Sequence, residues 1–376
     1  MHLTAIELHE LALPLVEPFI ISGGAITERR SLIVVLRDDE GNAGYGESPP
    51  FDRPFYSEET LAGARSLLAD LLIPRLRGCT LDGPEEIDSR LKEGVRGNPF
   101  ARAAIETAAW DLEAARRNTG VAALLAERLG VAPATAIECG VALGIPQDRT
   151  LATLKRWIWE AVALGYRRVK IKIAPGWDAE PVHAAREALA GSGLPLTVDA
   201  NGSYRWPDDL PLLEAIDDAG LLYIEQPLAP EELVGHAELG RRLRTPICLD
   251  ETLRSAAIAR QIVELGGPRV WNVKVHRMGG LTETLGVWRE AERYGATLWA
   301  GTMPESGIGS QAPLAAAALP RFGYPSDLEP SARWFGRNAD VVKLVMGSDG
   351  RMVVPRQPVS KLLDSGRFAA ATTRLL

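Results

Sequence analysis

The sequence predicts an α/β protein, a TIM-like (β/α)7β barrel carrying an α+β capping domain. Three observations lead there. The chain has 376 residues, which suits a barrel of roughly 250 residues with a smaller second domain. Past about residue 135, short apolar runs alternate with amphipathic helical stretches and begin about 25 residues apart, one strand-helix unit each. Before that point, β-rich runs give way to Ala-rich helical segments, the order expected of a separate α+β domain.

The elements follow in chain order. Leu3–Leu13, Ser31–Asp38 and Ala43–Glu47 are punctuated by Gly and Pro and read as a small antiparallel sheet. From Ser57 to about Leu129 apolar residues recur at helical spacing, as in Phe100–Leu112. Barrel strands are expected at Ile137–Leu143, Arg168–Ile173, Leu196–Val198, Leu221–Ile224, Ile247–Leu249, Val270–Val273 and Thr297–Ala300, with an eighth near Tyr324–Leu328. The tail beyond Val342 reads as extended and irregular, and is expected to pack on the first domain. The division is therefore a capping domain at 1–130, a catalytic barrel at 131–341 and a returning segment at 342–376.

Composition excludes several classes. Apolar residues make up 46% and charged residues 24%, ordinary for a soluble globular protein. A net charge of -7 argues against the broad basic surface that nucleic acid requires. Cys79, Cys139 and Cys248 are far apart and lack a CxxC spacing, so neither a disulfide framework nor a zinc site is indicated. No run of 18 apolar residues occurs, and Met1–Glu7 does not resemble a secretory leader. A cytoplasmic protein without nucleic-acid or membrane partners is expected.

A barrel carries its catalytic groups at the carboxyl ends of its strands, so the polar residues that end these apolar runs are the candidates. Strand two ends in Lys170-Ile171-Lys172, strand three in Asp199-Ala200-Asn201, strand four in Glu225-Gln226-Pro227 and strand five in Asp250-Glu251, while strand six reaches Lys274. Asp199, Glu225 and Asp250 stand 26 and 25 positions apart, at equal height on neighbouring staves. Three converging carboxylates repel one another and raise their own pKa values unless a hard cation with oxygen ligands joins them. Mg²⁺ is the expected cofactor, with Mn²⁺ or another divalent cation as a substitute. The bland reading of any single acid is a cap or turn residue, but three at equal depth are harder to explain that way.

Period-two alternation puts Lys170 and Lys172 on one strand face and Ile171 on the other. Lysines pointing into a barrel, with Lys274 across from them, require nearby negative charge or a depressed pKa. A lysine pair on an exposed edge strand is the bland alternative. The chemistry expected of this constellation is removal of a proton alpha to a carboxylate: cationic charge stabilises the enediolate, and a lysine on each side moves protons.

This ordered set resembles the enolase superfamily, specifically its muconate-lactonizing-enzyme subgroup, over essentially the whole chain. The family pattern runs K-x-K, D-x-N, E-x-P, D-E and K before a glycine pair, here Lys170 to Lys172, Asp199 to Asn201, Glu225 to Pro227, Asp250-Glu251, and Lys274 before Gly279-Gly280. Within the subgroup the likeness is to o-succinylbenzoate synthases and N-acylamino acid (N-succinylamino acid) racemases. Pro14–Phe19 before Ser22-Gly23-Gly24, the Gly46–Pro50 turn and Gly301–Gly309 carry it. The resemblance implies Lys172 and Lys274 as acid/base groups, Asp199, Glu225 and Asp250 as metal ligands, and Lys170 near the substrate carboxylate. It also implies a substrate pocket drawn from Phe19, Ser22, Tyr56, Asn201, Met303, Glu305 and Ser306, with Asn201 and Glu251 beside the metal. A small-molecule carboxylate substrate and a homo-oligomer are implied as well.

Two segments depart from the family form. Met303-Pro304-Glu305-Ser306 replaces Met-Leu-Glu-Ser, and Lys274 is followed by Val275-His276-Arg277 in place of Pro-Gly-Arg. Both bear on substrate identity rather than mechanism. His276 reads as a hydrogen-bonded structural residue ahead of a proton shuttle, and His2, His9, His183 and His236 as surface or helix positions. Gly279-Gly280 reads as a tight turn before a phosphate site. Competing functions on the same scaffold are muconate cycloisomerisation and dipeptide epimerisation, the latter only loosely matched by Ser326-Asp327-Leu328-Glu329. A non-catalytic binding barrel is the alternative from another class, and it leaves the inward lysines as an uncompensated cost.

Overall fold

Five consecutive apolar residues, Leu32–Leu36, explain how the two parts of the molecule are joined. In a strand, alternate side chains face opposite ways, so such a run must be buried on both sides. The computed structural model describes residues 1–21, 24–336 and 339–376, without the side chains of 18–21, 24 and 25. Ser22 and the side chain of Phe19, both expected in the substrate pocket, lie outside the described residues. Strands β1 (Leu3–Ile21), β2 (Gly24–Asp38) and β3 (Ala43–Ser48) form an antiparallel sheet in which β2 is central. Leu32, Val34 and Leu36 join Leu3, Leu8 and the helix residues Ala101, Ala104 and Ala108 in the capping core. Ile33 and Val35 face the other way, onto Leu11, Ile308, Val341, Val342 and Val359.

The helix Pro99–Arg116 lies directly on β3. A Cβ on Gly44 would sit 2.2 Å from the Ala108 carbonyl oxygen, and one on Gly46 2.1 Å from that of Ala104. Glycine is required at both positions, and the close approach fixes Glu47 and Ser48 at the edge of the barrel.

In the barrel, β5 (Gly140–Leu143), β6 (Arg168–Lys172), β7 (Leu196–Asp199), β8 (Ile224–Glu225), β9 (Ile247–Leu249), β10 (Val270–Val273) and β11 (Thr297–Ala300) form one parallel sheet in chain order. Val169 and Ile171 are fully buried among helix residues such as Leu154 and Ile158, leaving Arg168, Lys170 and Lys172 on the inner face.

Three boundaries differ from expectation. Ile137–Leu143 is not one strand: β4 (Ala136–Glu138) pairs with β12 (Arg351–Val353) in a separate ribbon, and only Gly140 onward enters the barrel. The fourth strand is two residues long, because Leu221–Tyr223 approach it as an irregular stretch. No eighth strand forms among the described residues; isolated bridges of Leu298 to Phe322 and Cys139 to Ser326 fill the gap between β11 and β5. Pro320, Gly323 and Pro325 punctuate that segment and prevent a continuous ladder. At the C-terminus, β13 (Thr372–Arg374) pairs antiparallel with His9–Leu11 of β1. No described helix is long and apolar enough to cross a membrane.

Candidate active site

Strand register brings the predicted groups to one level. Lys172 pairs with Asp199 across β6 and β7, and Asp199 with Glu225 across β7 and β8. Asp250 follows β9 directly, and Lys274 follows β10. The acids therefore occupy the strands between the two lysines. Asp199, Glu225 and Asp250 are each 1% exposed or less, so each must be compensated locally.

Compensation comes from the amines. Lys170 lies 2.6 Å from Asp327, 2.9 Å from Glu225 and 3.6 Å from Asp199, with its ammonium 4.7 Å from the centre of the Trp299 ring. Burial works to depress it, but the three carboxylates prevail and hold Lys170 well above its ordinary value. Lys172 donates to Asp199 Oδ2 at 2.5 Å and to Asn201 Oδ1. Lys274 lies 3.1 Å from Asp250 and donates to the Tyr56 hydroxyl at 2.7 Å. Burial opposes its charge, yet Asp250 keeps Lys274 above the usual lysine range. Of the two routes open to an inward lysine, Lys170 and Lys274 therefore take negative charge nearby, not a depressed pKa.

The acids are not equivalent. Burial and the Asp199 carboxylate push Glu225 up to about 8 against the pull of Lys170. Burial also raises Asp250, but Arg277 and Lys274 reverse the sign and hold it well below the carboxylate range. Burial, Asp250 and Asp199 all raise Glu251; its Oε1 accepts from Asn201 at 2.8 Å, while Oε2 has no hydrogen-bond partner among the described residues.

Gln226 ties the ends of β8 and β9 together. Its Oε1 accepts from the backbone N–H groups of Asp250 (2.9 Å) and Thr252 (3.2 Å). Its Nε2 donates to the Leu228 carbonyl at 2.9 Å.

The substrate-pocket candidates divide. Tyr56 and Asn201 touch the two lysines, and Met303 packs with Phe51, Phe100 and Tyr56. Glu305 and Ser306 are turned into the protein: Glu305 pairs with His276 at 3.0 Å, and the Ser306 hydroxyl donates to Glu47. Glu47 also accepts from Gly309 N at 3.0 Å, so a capping-domain acid organises the loop after β11. His276 is paired with Glu305, and His236 lies within its helix, one of the two placements expected of it, at 1% exposure.

Sequence reasoning missed several groups. Asn272 donates to Glu225 Oε1 at 2.7 Å, and Arg277 pairs with Asp250. Arg168 stacks 4.9 Å from the Trp299 ring centre and pairs with Asp327, whose carboxyl these cations hold down to about 2 despite burial. Arg29 is 5% exposed and donates to the carbonyls of Pro49, Pro50, Met303 and Pro304, joining the cap to the barrel mouth. Extending the alternation from Lys170 back to Arg168, and from Lys274 back to Asn272, finds two of these groups; Arg29 has no comparable signal, and Asp327 stood out only in the loose Ser326-Asp327-Leu328-Glu329 match, not as a partner of Lys170 and Arg168.

With this geometry in place, comparison is informative. Residues 5–126 match the mandelate racemase / muconate lactonizing enzyme N-terminal domain, and residues 153–358 the enolase C-terminal domain-like family. The chain belongs to the enolase superfamily. It is 42% identical to an N-succinylamino acid racemase of Thermus thermophilus, covering 94% of this chain and 93% of the relative. It is 37% identical to an o-succinylbenzoate synthase of Enterococcus faecalis, covering 95% and 94%. A crystal structure of an enolase-superfamily member from Listeria innocua superimposes with a TM-score of 0.91 at 34% identity, covering 99% and 98%. The protein is thus an enzyme of the lyase and isomerase kind found in this superfamily, whose members are generally dependent on a divalent metal.

The donor set fits such an ion by its chemistry. Among the described residues no three His, Cys, Asp or Glu side chains already form a group that could hold a metal, because each carboxylate is turned to an amine, guanidinium or amide. Yet Glu225 is raised and Glu251 keeps an unpartnered buried oxygen, both signs of a centre short of positive charge. An oxygen-only, acid-rich set suits a hard divalent cation.

Proposed function

We propose that the enzyme removes a proton alpha to a substrate carboxylate through an enediolate, as an o-succinylbenzoate synthase, an N-acylamino acid racemase, or both. The observation that carries this reading is the placement of Lys172 and Lys274 on either side of a buried trio of acids. The names of the relatives at 36–42% identity support the same pair of reactions.

Asp199, Glu225 and Asp250 would hold Mg²⁺, with Mn²⁺ or another divalent cation as a substitute. When bound, that ion would offset the second negative charge that builds on the carboxylate as the alpha proton leaves. Lys170, kept cationic by Asp327, Glu225 and Asp199, faces the same charge. In the dehydration, Lys172 takes the alpha proton and returns it to the departing hydroxyl, so that water leaves and the lysine ends as it began. Lys274 remains an ammonium on the opposite side. In the racemisation, Lys172 takes the proton of one enantiomer and Lys274 delivers a proton to the other face, the roles reversing for the opposite enantiomer. Tyr56, Asn201 and Met303, with Phe19 and Ser22, would line the substrate; Glu305 and Ser306 would shape that wall through His276 and Glu47. A cytoplasmic homo-oligomer belongs to the same proposal.

Dipeptide epimerisation is the weaker reading, since Asp327, the acid nearest to the pattern that reads an ammonium group, is already engaged by Lys170 and Arg168. The test is to incubate the Mg²⁺-loaded enzyme in deuterated water with N-succinyl amino acids, dipeptides and the cyclohexadiene precursor of o-succinylbenzoate. Alpha-deuteration of the acylated amino acids or dehydration of the precursor is expected. Activity on dipeptides alone would overturn the assignment.

A further inference from the structure

The two lysines have different neighbours from the capping domain, and the difference centres on one phenol. The Tyr56 oxygen accepts from Lys274 Nζ at 2.7 Å and from Arg277 Nη1 at 3.3 Å, and the Lys274 ammonium stands 4.7 Å from the centre of the Tyr56 ring. The ring itself is packed against a small cluster of Phe51, Phe100 and the barrel residue Met303. Burial and the Asp250 carboxylate raise Tyr56 well above the ordinary phenol range, so it stays a neutral hydroxyl. Two cationic donors already occupy its oxygen, and Lys274 is held between this hydroxyl and Asp250. Among the described residues, the hydrogen bonds of Lys172, by contrast, go to the barrel residues Asp199 and Asn201.

We propose that Tyr56 is a positioning residue for Lys274, linking the seat of the capping domain on the barrel mouth to the aim of one of the two acid/base groups. A flexible four-carbon side chain has many rotamers, and a hydrogen bond from a rigid ring selects one of them. The inference rests on the function proposed above, and it goes further by assigning a face-specific role to a residue of the cap.

The test uses Tyr56→Phe, which removes the hydroxyl and keeps the packed ring. Alpha-deuterium exchange is followed separately for the two enantiomers of one N-succinyl amino acid with the Mg²⁺-loaded enzyme. Lys172→Ala and Lys274→Ala establish which enantiomer each lysine serves. Exchange of the Lys274 enantiomer is expected to fall roughly tenfold or more relative to that of the other enantiomer, as for loss of a hydrogen bond to a charged group. A merely structural role would lower both equally, and that result overturns the proposal. Crystal structures of the Mg²⁺-loaded wild type and variant give a readout independent of turnover. The wild type is expected to keep the Tyr56 to Lys274 bond, and the variant to show Lys274 Nζ moved by about 1 Å or more, a misplacement large enough to matter for proton transfer. A wild-type hydroxyl out of reach of Lys274, or an unmoved Nζ in the variant, overturns it as well. If the wild type exchanges neither enantiomer, the proposed function falls, and the crystal structures alone decide for or against the latch.

Discussion

The two flanks of the acid trio are built differently. Lys172 is 32% exposed and is fixed by two barrel acceptors. Lys274 is 11% exposed, and a residue of the other domain lies upon it. A group that must take a proton and give it back needs room to exchange partners, whereas an enclosed lysine stays cationic where a carboxylate outweighs its burial, as Asp250 does for Lys274. The open flank therefore suits the base of a dehydration, and the closed flank suits an electrostatic partner. Racemisation asks more of the closed flank, because there Lys274 must also move protons.

The largest expected effect tests this asymmetry directly. Lys172→Ala should lower dehydration by about 10³-fold or more, within the range a positioned acid/base group supplies. Lys274→Ala should abolish racemisation while leaving alpha-deuteration of the enantiomer served by Lys172. Rates of both reactions and of exchange, measured on the same preparations, check it. Equal loss of all three activities in both variants would mean that the flanks are not distinct.

A smaller effect is expected behind Lys170. Asp327 neutralises both Lys170 and Arg168 where isolated bridges stand in place of an eighth strand among the described residues. Asp327→Asn leaves two buried cations short of a partner, and breaking a buried pair in this way costs on the order of 3 kcal/mol. Chemical denaturation should show that loss, together with a lower kcat as Lys170 drifts from its place. An unchanged midpoint would show that Glu225 and Asp199 suffice to hold it.

These predictions separate what the residues announced from what they concealed. The barrel, its strand-end acids and the inward lysines were legible because a period of two and a spacing of one strand-helix unit are properties of the chain itself. The eighth strand was misread because Tyr324–Leu328 is apolar at its ends but broken by proline, and only tertiary contact shows that bridges replace the ladder. The roles of Asp327 and Arg29 were hidden for a related reason: Arg168, which pairs with Asp327, and the Pro304 carbonyl, which accepts from Arg29, lie more than 150 positions from them, across a fold that had to be assembled first. Glu305 and Ser306 were expected to meet substrate from their loop position, but their side chains turn to His276 and Glu47.

The join between the domains gives the third test. Glu47 accepts from Ser306 N at 3.2 Å, Gly309 N at 3.0 Å and the Ser306 hydroxyl, all buried. Glu47→Ala leaves these donors unsatisfied and should destabilise the protein by about 2 kcal/mol. It should also raise KM, because the loop after β11 forms one wall of the mouth; a normal KM would confine Glu47 to stability.

The last test concerns acid, and it acts on the scaffold beneath Asp250 and the closed flank. His236 accepts from Leu228 N at 3.3 Å through Nε2, and its Nδ1 donates to the Glu232 carbonyl at 2.7 Å, an arrangement that requires the neutral ring. Burial pushes its pKa down to about 4, so the unfolded chain, near 6.5, binds the proton first. The stability this contributes is complete above about pH 6.5 and is lost as pH falls toward 4, by up to roughly 3 kcal/mol. Protonation removes the acceptor for Leu228, whose carbonyl receives the Gln226 amide that also positions Asp250. Thermal unfolding between pH 7 and 4.5 should therefore fall more steeply in the wild type than in His236→Gln. Parallel slopes would mean that other buried groups, not this ring, set the acid sensitivity of the strand ends.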